Sequence, residues 1–187
     1  MPPRFEVTPT RLAGLVRVRR RVIADERGAL ERLYCRDELG FETPGAAPVQ
    51  VNLTRTVRRG TVRGLHYQCA PHADAKLVQC LRGRVYDVAV YLRPGSPTFL
   101  QWHGEELTPD NRNALRIPAG FAHGFQALED DCEMLYLHDA PYRPDAEAGL
   151  LATDPALRIA WPLPVSHLSA RDRAHPGVAD AFPGGAA

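Results

Sequence analysis

The chain has 187 residues, 44% of them hydrophobic and 24% charged, and a formal net charge of +1. That size suits one domain over residues 1–187 with a sizeable core, and the mixed charges exclude a nucleic-acid stripe or a basic membrane patch. Neither the opening Met1-Pro2-Pro3-Arg4-Phe5 nor any later run has the apolar length of a signal peptide or membrane span, so a soluble cytoplasmic protein is expected.

Strand signals dominate in chain order. Val49–Val57 alternates, and Val62–Gln68 follows a turn at Arg59-Gly60. Ala75–Leu81 leads through Arg82-Gly83 into Val85–Leu92, a β-branched and aromatic run stopped by Arg93-Pro94-Gly95. Phe99–Leu107, Ala114–Ile117, Phe121–Leu128 and Cys132–His138 complete the set. Short strands at this spacing, punctuated by Gly, Pro, Asn and Asp, predict an all-β sandwich or barrel. Helix is expected only at Arg36–Leu39 and across Pro144–Ala152, and the tail from about Pro176 is expected to fray.

Two runs carry chemistry. Arg63-Gly64-Leu65-His66-Tyr67-Gln68 and Phe121-Ala122-His123-Gly124-Phe125 each set a histidine in a strand with a glycine nearby. Glycine admits close approach of a ligand or a second backbone, and imidazole moves protons near neutral pH. The two histidines are therefore expected on opposite walls of a small-molecule pocket; the alternative for either one alone is a hydrogen-bonded core residue. Cys35, Cys69, Cys80 and Cys132 show no metal-knuckle spacing and read as small hydrophobes. Lys76 is the only lysine in the chain.

The ordered set of segments Asp25-Glu26-Arg27-Gly28, Gln50-Val51-Asn52, Arg63–Gln68, Lys76-Leu77-Val78, Val85–Val90, Ser96-Pro97-Thr98-Phe99, Ile117–Phe125, Trp161-Pro162 and Leu168–Asp172 resembles the dTDP-4-dehydrorhamnose 3,5-epimerase family. The resemblance implies a cupin-type jelly-roll barrel with a few short helices, and a homodimer. The implied activity is epimerisation of a nucleotide-linked 4-keto-6-deoxy sugar with no cofactor and no metal. A C4 ketone acidifies the protons on C3 and C5, so inversion needs a base on one face, an acid on the other, and a positive group at the enolate oxygen.

By resemblance, His66 is the base, Asp172 fixes its tautomer, Tyr136 is the acid and Lys76 stabilises the enolate oxygen. Taken without the resemblance, Asp172 reads as a surface residue at a helix start, Tyr136 as a core aromatic and Lys76 as a solvated strand end. The resemblance also implies substrate contacts. Arg63 and Arg27 suit the pyrophosphate, with Arg27 reaching across the dimer, and Arg171 stands where a basic residue contacts the ligand. Gln50 and Asn52, two apart on one strand face, suit sugar or base. Tyr142 would stack on the nucleobase, Glu147 would contact the ligand, and His123 would line the pocket. The pattern departs from the family at Arg32 (glutamate), Asp74-Ala75 (Gln-Gly), Tyr91 (aspartate) and Leu100 (glycine), which leaves nucleotide, sugar and number of inverted carbons open.

Three other readings compete. A metal-dependent cupin normally uses a His-x-His pair with further ligands, whereas His66 and His123 are 57 residues apart and no His-x-His occurs. A non-catalytic sugar-binding module has no need of base, acid, orienting carboxylate and lysine together. A mono-epimerase acting at C3 or C5 only would use the same base and acid.

Overall fold

The computed structural model describes residues 3–40 and 47–183. Its strands in chain order are β1 (Phe5–Pro9), β2 (Val16–Arg20), β3 (Val22–Asp25), β4 (Gly28–Glu31), β5 (Gln50–Thr56), β6 (Val62–Gln68), β7 (Lys76–Arg82), β8 (Val85–Tyr91), β9 (Trp102–Leu107), β10 (Asn113–Ile117), β11 (Phe121–Ala127), β12 (Cys132–His138) and β13 (Glu147–Gly149). Three one-turn helices, α1 (Arg36–Leu39), α2 (Ala170–Arg173) and α3 (Val178–Ala181), complete the described elements.

Two antiparallel sheets face each other as a jelly roll. One has the order β1-β2-β10-β7-β12-β5 and the other β13-β6-β11-β8-β9, while β3 and β4 form a separate hairpin. Alternation along each strand sets what faces inward. On β7, Val78 and Cys80 enter the inter-sheet core, as do Met134 and Cys132 on β12 and Phe125 and Phe121 on β11. The same inward rows turn polar toward one end, with Lys76 following Val78 on β7, and Tyr136 and His138 following Met134 on β12. The barrel is therefore plugged with hydrocarbon at one end and open and polar at the other.

Both sheets are also covered outside. Leu77, Ala114 and Val18 pack with Leu39 of α1 and Phe5. Val62, Leu65, Val88 and Val90 are covered by Leu150, Leu157, Trp161 and Phe182 from the C-terminal segment. This second cover explains why β11 is buried at every position, with His123 and Gln126 as its buried polar residues.

The glycines of β6 and β11 meet each other. A Cβ on Gly64 would lie 2.6 Å from Gly124 Cα, and Gly64 has φ +122. Alternation slips here: Leu65 joins the outer core while Arg63 and His66, three residues apart, both line the cavity. The slip brings His66 directly across from His123 in the β6–β11 ladder. The two histidines therefore share one wall, which corrects the opposite-wall expectation.

Other expectations shift for local reasons. Pro144–Ala152 is not helical, because Glu147–Gly149 pairs with Gln68–His66 as edge strand β13. Within the segment after Pro176, Val178–Ala181 is helical, and Phe182 packs edge-on against Phe99 with ring centroids 5.2 Å apart. Strands β1 to β4 were not read from the sequence. On β2 the arginines hid the alternation, since Arg20 is itself buried and donates to Gln79 and Glu31. Leu100, where the family pattern has glycine, adopts φ +61, a conformation that favours glycine.

A methyl group at Gly64 would meet backbone on β11 and force φ out of the left-handed region. We expect Gly64→Ala to destabilise the fold by about 1–3 kcal/mol or more and to displace His66. Gly95→Ala, with φ +75 but nothing within 4 Å, should cost about 1 kcal/mol. Urea titrations of the two variants against wild type check the difference, and equal costs would refute the packing argument.

Candidate active site

The open end of the barrel holds a cavity of about 890 Å³, a size suited to a small organic ligand. Its lining includes all but one of the sequence-derived site residues: His66, Arg63 and His123 from β6 and β11, Lys76, Tyr136, Asn52 and Gln50 from the facing sheet, and Tyr142, Glu147, Arg171 and Asp172 at the rim. Arg27 is the exception. It sits at the β3–β4 turn with 83% of its side chain exposed and bonds to Asp25 of its own hairpin, outside the cavity lining.

Asp172 is held by a chain of local causes. Ser169 caps α2 by accepting the Asp172 N–H through its hydroxyl, at 3.0 Å, as short polar residues at helix starts do. The cap turns the Asp172 carboxylate inward, leaving the residue 3% exposed. One carboxylate oxygen lies 2.8 Å from His66 Nε2 and the other accepts the Gly64 N–H at 3.3 Å. Burial pushes the Asp172 carboxyl up, but the His66 hydrogen bond and charge, with Gly64 and Ser169, outweigh it and lower the pKa to about 2.

An ionised carboxylate has no proton to give, so the proton in this bond belongs to His66 Nε2. That leaves Nδ1 with the lone pair, which makes the ring a base. Arg171 Nη2 also lies 3.2 Å from Nε2. Two donors cannot share a hydrogen bond, so Arg171 acts there as a neighbouring positive charge, tethered to Glu147 at 3.0 Å.

On the facing sheet, Tyr136 packs with its ring 5.8 Å from the His123 ring and 6.0 Å from His138. Burial, reinforced by the Asp87 charge, pushes its phenol well above the usual range, while Thr54 and the Arg63 charge pull the other way. Tyr136 therefore carries its proton at neutral pH. Lys76 is buried, with Nζ 3.3 Å from Asp74, whose same oxygen is 2.9 Å from His138 Nδ1. Burial would raise the Asp74 carboxyl, but His138 and Lys76 lower it on balance.

Sequence reasoning missed several members of this site. Asp87 is fully buried and bonds His123 Nε2 at 2.8 Å; an aspartate inside the β-branched run Val85–Val90 was the available signal. His138 and Asp74 form a carboxylate–imidazole pair beside Lys76, and no spacing pattern joins residues 64 apart. At the rim, Tyr142 donates to Glu147 at 2.8 Å and its N–H is received by Gln50. Arg63 spans from β6 to β5, donating to Thr56 and to the Arg55 carbonyl.

A carboxylate-held imidazole on one wall and a proton-bearing phenol on the other, at the polar end of a jelly roll, define an acid–base enzyme of the cupin type. The chain belongs to the dTDP-4-dehydrorhamnose 3,5-epimerase family, whose model matches residues 9–180. It is 44% identical to the dTDP-4-dehydrorhamnose 3,5-epimerase of Pseudomonas aeruginosa over 165 residues, covering 86% of this chain and 89% of that one. The Bacillus anthracis epimerase, solved with TDP and pyrophosphate bound, superposes with a TM-score of 0.87 at 39% identity, covering 93% of this chain and 99% of that one. ChmJ of Streptomyces bikiniensis, a 3'-monoepimerase solved with dTDP-quinovose, gives 0.84 at 32% identity, covering 92% and 88%.

The depressed Asp172 pKa has a stability consequence of fixed sign. The folded form prefers the ionised carboxylate, so the contribution is full above the ordinary value of 3.8 and fades as pH falls toward about 2. Its full size is about 2 kcal/mol. The stability gap between wild type and Asp172→Asn should narrow by about 1 kcal/mol from about pH 6 to pH 3 in urea titrations. A gap that widens on acidification would contradict the assignment.

Proposed function

We propose that this protein epimerises C3 and C5 of a dTDP-linked 4-keto-6-deoxyhexose, converting dTDP-4-dehydro-6-deoxy-D-glucose to dTDP-4-dehydro-L-rhamnose. The observation that carries the proposal is the 2.8 Å His66–Asp172 bond facing Tyr136 across the cavity. His66 Nδ1 removes the proton next to the C4 ketone from one side, and Asp172 stabilises the imidazolium that forms. The electrons pass into an enolate whose oxygen is stabilised by Lys76, a buried ammonium. Tyr136 returns a proton to the other face of the same carbon, and its phenolate is then reprotonated from the cavity. The sequence needs no metal and no redox group. Arg63 and Arg171 at the rim suit the pyrophosphate, Gln50 and Asn52 the sugar or base, Tyr142 the face of the base, and Glu147 holds Tyr142 and Arg171 in place for it.

The same residues would serve a mono-epimerase, a reading favoured by the fold's likeness to ChmJ. Incubation with dTDP-4-keto-6-deoxyglucose in heavy water separates the two. We expect deuterium at both C3 and C5; label at one carbon only supports the mono-epimerase, and label at neither defeats both. His66→Asn should abolish the exchange, a loss of about a hundred-fold or more. Tyr136→Phe should keep exchange and lose most net inversion. Inversion at the wild-type rate in Tyr136→Phe would remove Tyr136 as the acid.

The working form we propose is a cytoplasmic homodimer. Val51 and Leu53 on edge strand β5, and Val57 just after it, are about 60% exposed, and Leu30 on the β3–β4 hairpin 67%. Such an apolar edge calls for a partner. A second copy docked there would cover it, and the hairpin would carry Arg27 to the neighbouring cavity. Leu53→Glu should shift the protein to monomers in sedimentation equilibrium and raise KM for the nucleotide sugar. A wild-type protein that sediments as a monomer, or a Leu53→Glu variant that stays dimeric, would refute this arrangement.

A further inference from the structure

Behind the His66–Asp172 pair lies a third titratable group that the proton transfers do not use. His175 follows α2 and presents its ring edge-on to His66, with centroids 5.5 Å apart at 68°. Its Nε2 lies 3.8 Å from the Asp172 oxygen that bonds His66. That nitrogen is sealed from solvent and has no hydrogen-bond partner among the described residues, an arrangement that costs stability unless something fills it. The backbone makes room for it: a Cβ on Gly149 would lie 2.4 Å from His175 Cε1. Glycine on β13 is thus what lets the imidazole sit flush against the pair.

One nitrogen from each ring and one Asp172 oxygen lie within 4.8 Å of one another. Zinc holds imidazole nitrogen and carboxylate oxygen at about 2.0–2.2 Å, which separates neighbouring tetrahedral ligands by about 3.3 Å. The observed contacts of 2.8 Å and 3.8 Å straddle that spacing. The remaining nitrogen–nitrogen separation is no more than 4.8 Å, so rotation of the two imidazoles by about an ångström would close the set around the ion. Two imidazoles and a carboxylate also form a common three-ligand set for zinc, with the fourth position left to water.

We propose that His66, Asp172 and His175 form an inhibitory site for a divalent cation of the zinc type. The cation takes the His66 Nε2 lone pair, so the ring proton moves to Nδ1 and the base loses the lone pair that faces the cavity. No redox change is involved. Arg171 opposes entry, because its guanidinium stands 3.2 Å from His66 Nε2 and 3.5 Å from Asp172. Its side chain is 55% exposed and, among the described residues, its carboxylate partners are Glu147 and Asp172, so it can swing toward solvent. Entry of the cation thus competes with the arginine for the same carboxylate.

The inference rests on His66 as the base only for its inhibitory consequence; the binding itself stands apart from that reading. The test has two readouts. Zinc titration of the wild-type protein by calorimetry should find one equivalent per chain, and cobalt(II) in its place should give the intense visible bands of a tetrahedral site. Solvent exchange into the nucleotide sugar should fall in step with occupancy and return on chelation. His175→Asn, with His175→Gln as a second variant in case the first folds poorly, should retain exchange without metal and weaken zinc binding more than about tenfold. Arg171→Gln should bind zinc more tightly. Absence of stoichiometric binding, or an affinity unchanged in both His175 variants, would overturn the proposal. Binding that follows His175 without loss of exchange would keep the site and remove its inhibitory role. A wild-type protein that shows the cobalt spectrum but never exchanges the sugar would fault the epimerase reading and leave the metal site standing.

Discussion

The hydrogen bond from His66 to Asp172 is the constraint around which the open end of the barrel is arranged. It joins residues 106 positions apart, so three separate pieces of chain must agree on one geometry. The Gly64 slip turns His66 inward, the Ser169 cap turns Asp172 inward, and pairing of β13 with β6 ties the C-terminal segment beside both. Each is a backbone device, and none depends on long, mobile side chains. An imidazole positioned this way keeps its orientation.

Charge inside the cavity follows one rule: each buried ionisable group has a counterpart. Lys76 and His138 share Asp74, His123 has Asp87, and His66 has Asp172. Pairing of this kind is what makes burial of charge tolerable. The Asp87 carboxylate beside Tyr136 has a further effect, since it disfavours the phenolate and so favours the form that can give a proton. The apolar end of the barrel, from Val78 and Met134 to Phe125, keeps water from one side of the cavity and raises the strength of each of these interactions.

Strand β8 was legible because nearly all of it is buried, which produces a dense β-branched and aromatic run, and its neighbours were legible from the turn residues between them. Val62–Gln68 and Cys132–His138 match β6 and β12 end to end. The N-terminal strands were not legible, because on β2 the buried Arg20 stands where alternation calls for an apolar residue. The segment Pro144–Ala152 looked helical in composition, yet its structure is decided by the open edge of β6 that it covers. Tertiary pairing of that sort leaves no local trace.

Site residues divide the same way. The glycine-flanked histidines drew attention in the sequence, but which wall each occupies depends on the ladder register that pairs His66 with His123. Asp172 was reachable only through family resemblance, since locally it is one more polar residue in a helix turn. Asp74, Asp87 and His138 act through partners distant in sequence. His175 gave no signal, because its significance depends on the absence of a side chain at Gly149.

The central claim is that Asp172 fixes His66 as the Nε2–H tautomer, with Nδ1 free toward the cavity. Nitrogen-15 NMR of histidine-labelled protein near neutral pH reads this directly, with His66→Asn supplying the assignment. The account predicts a neutral His66 ring with a protonated Nε2, a downfield-shifted Nε2 proton, and loss of that shift in Asp172→Asn. A ring protonated at Nδ1, or an Nε2 signal indifferent to Asp172, would contradict it.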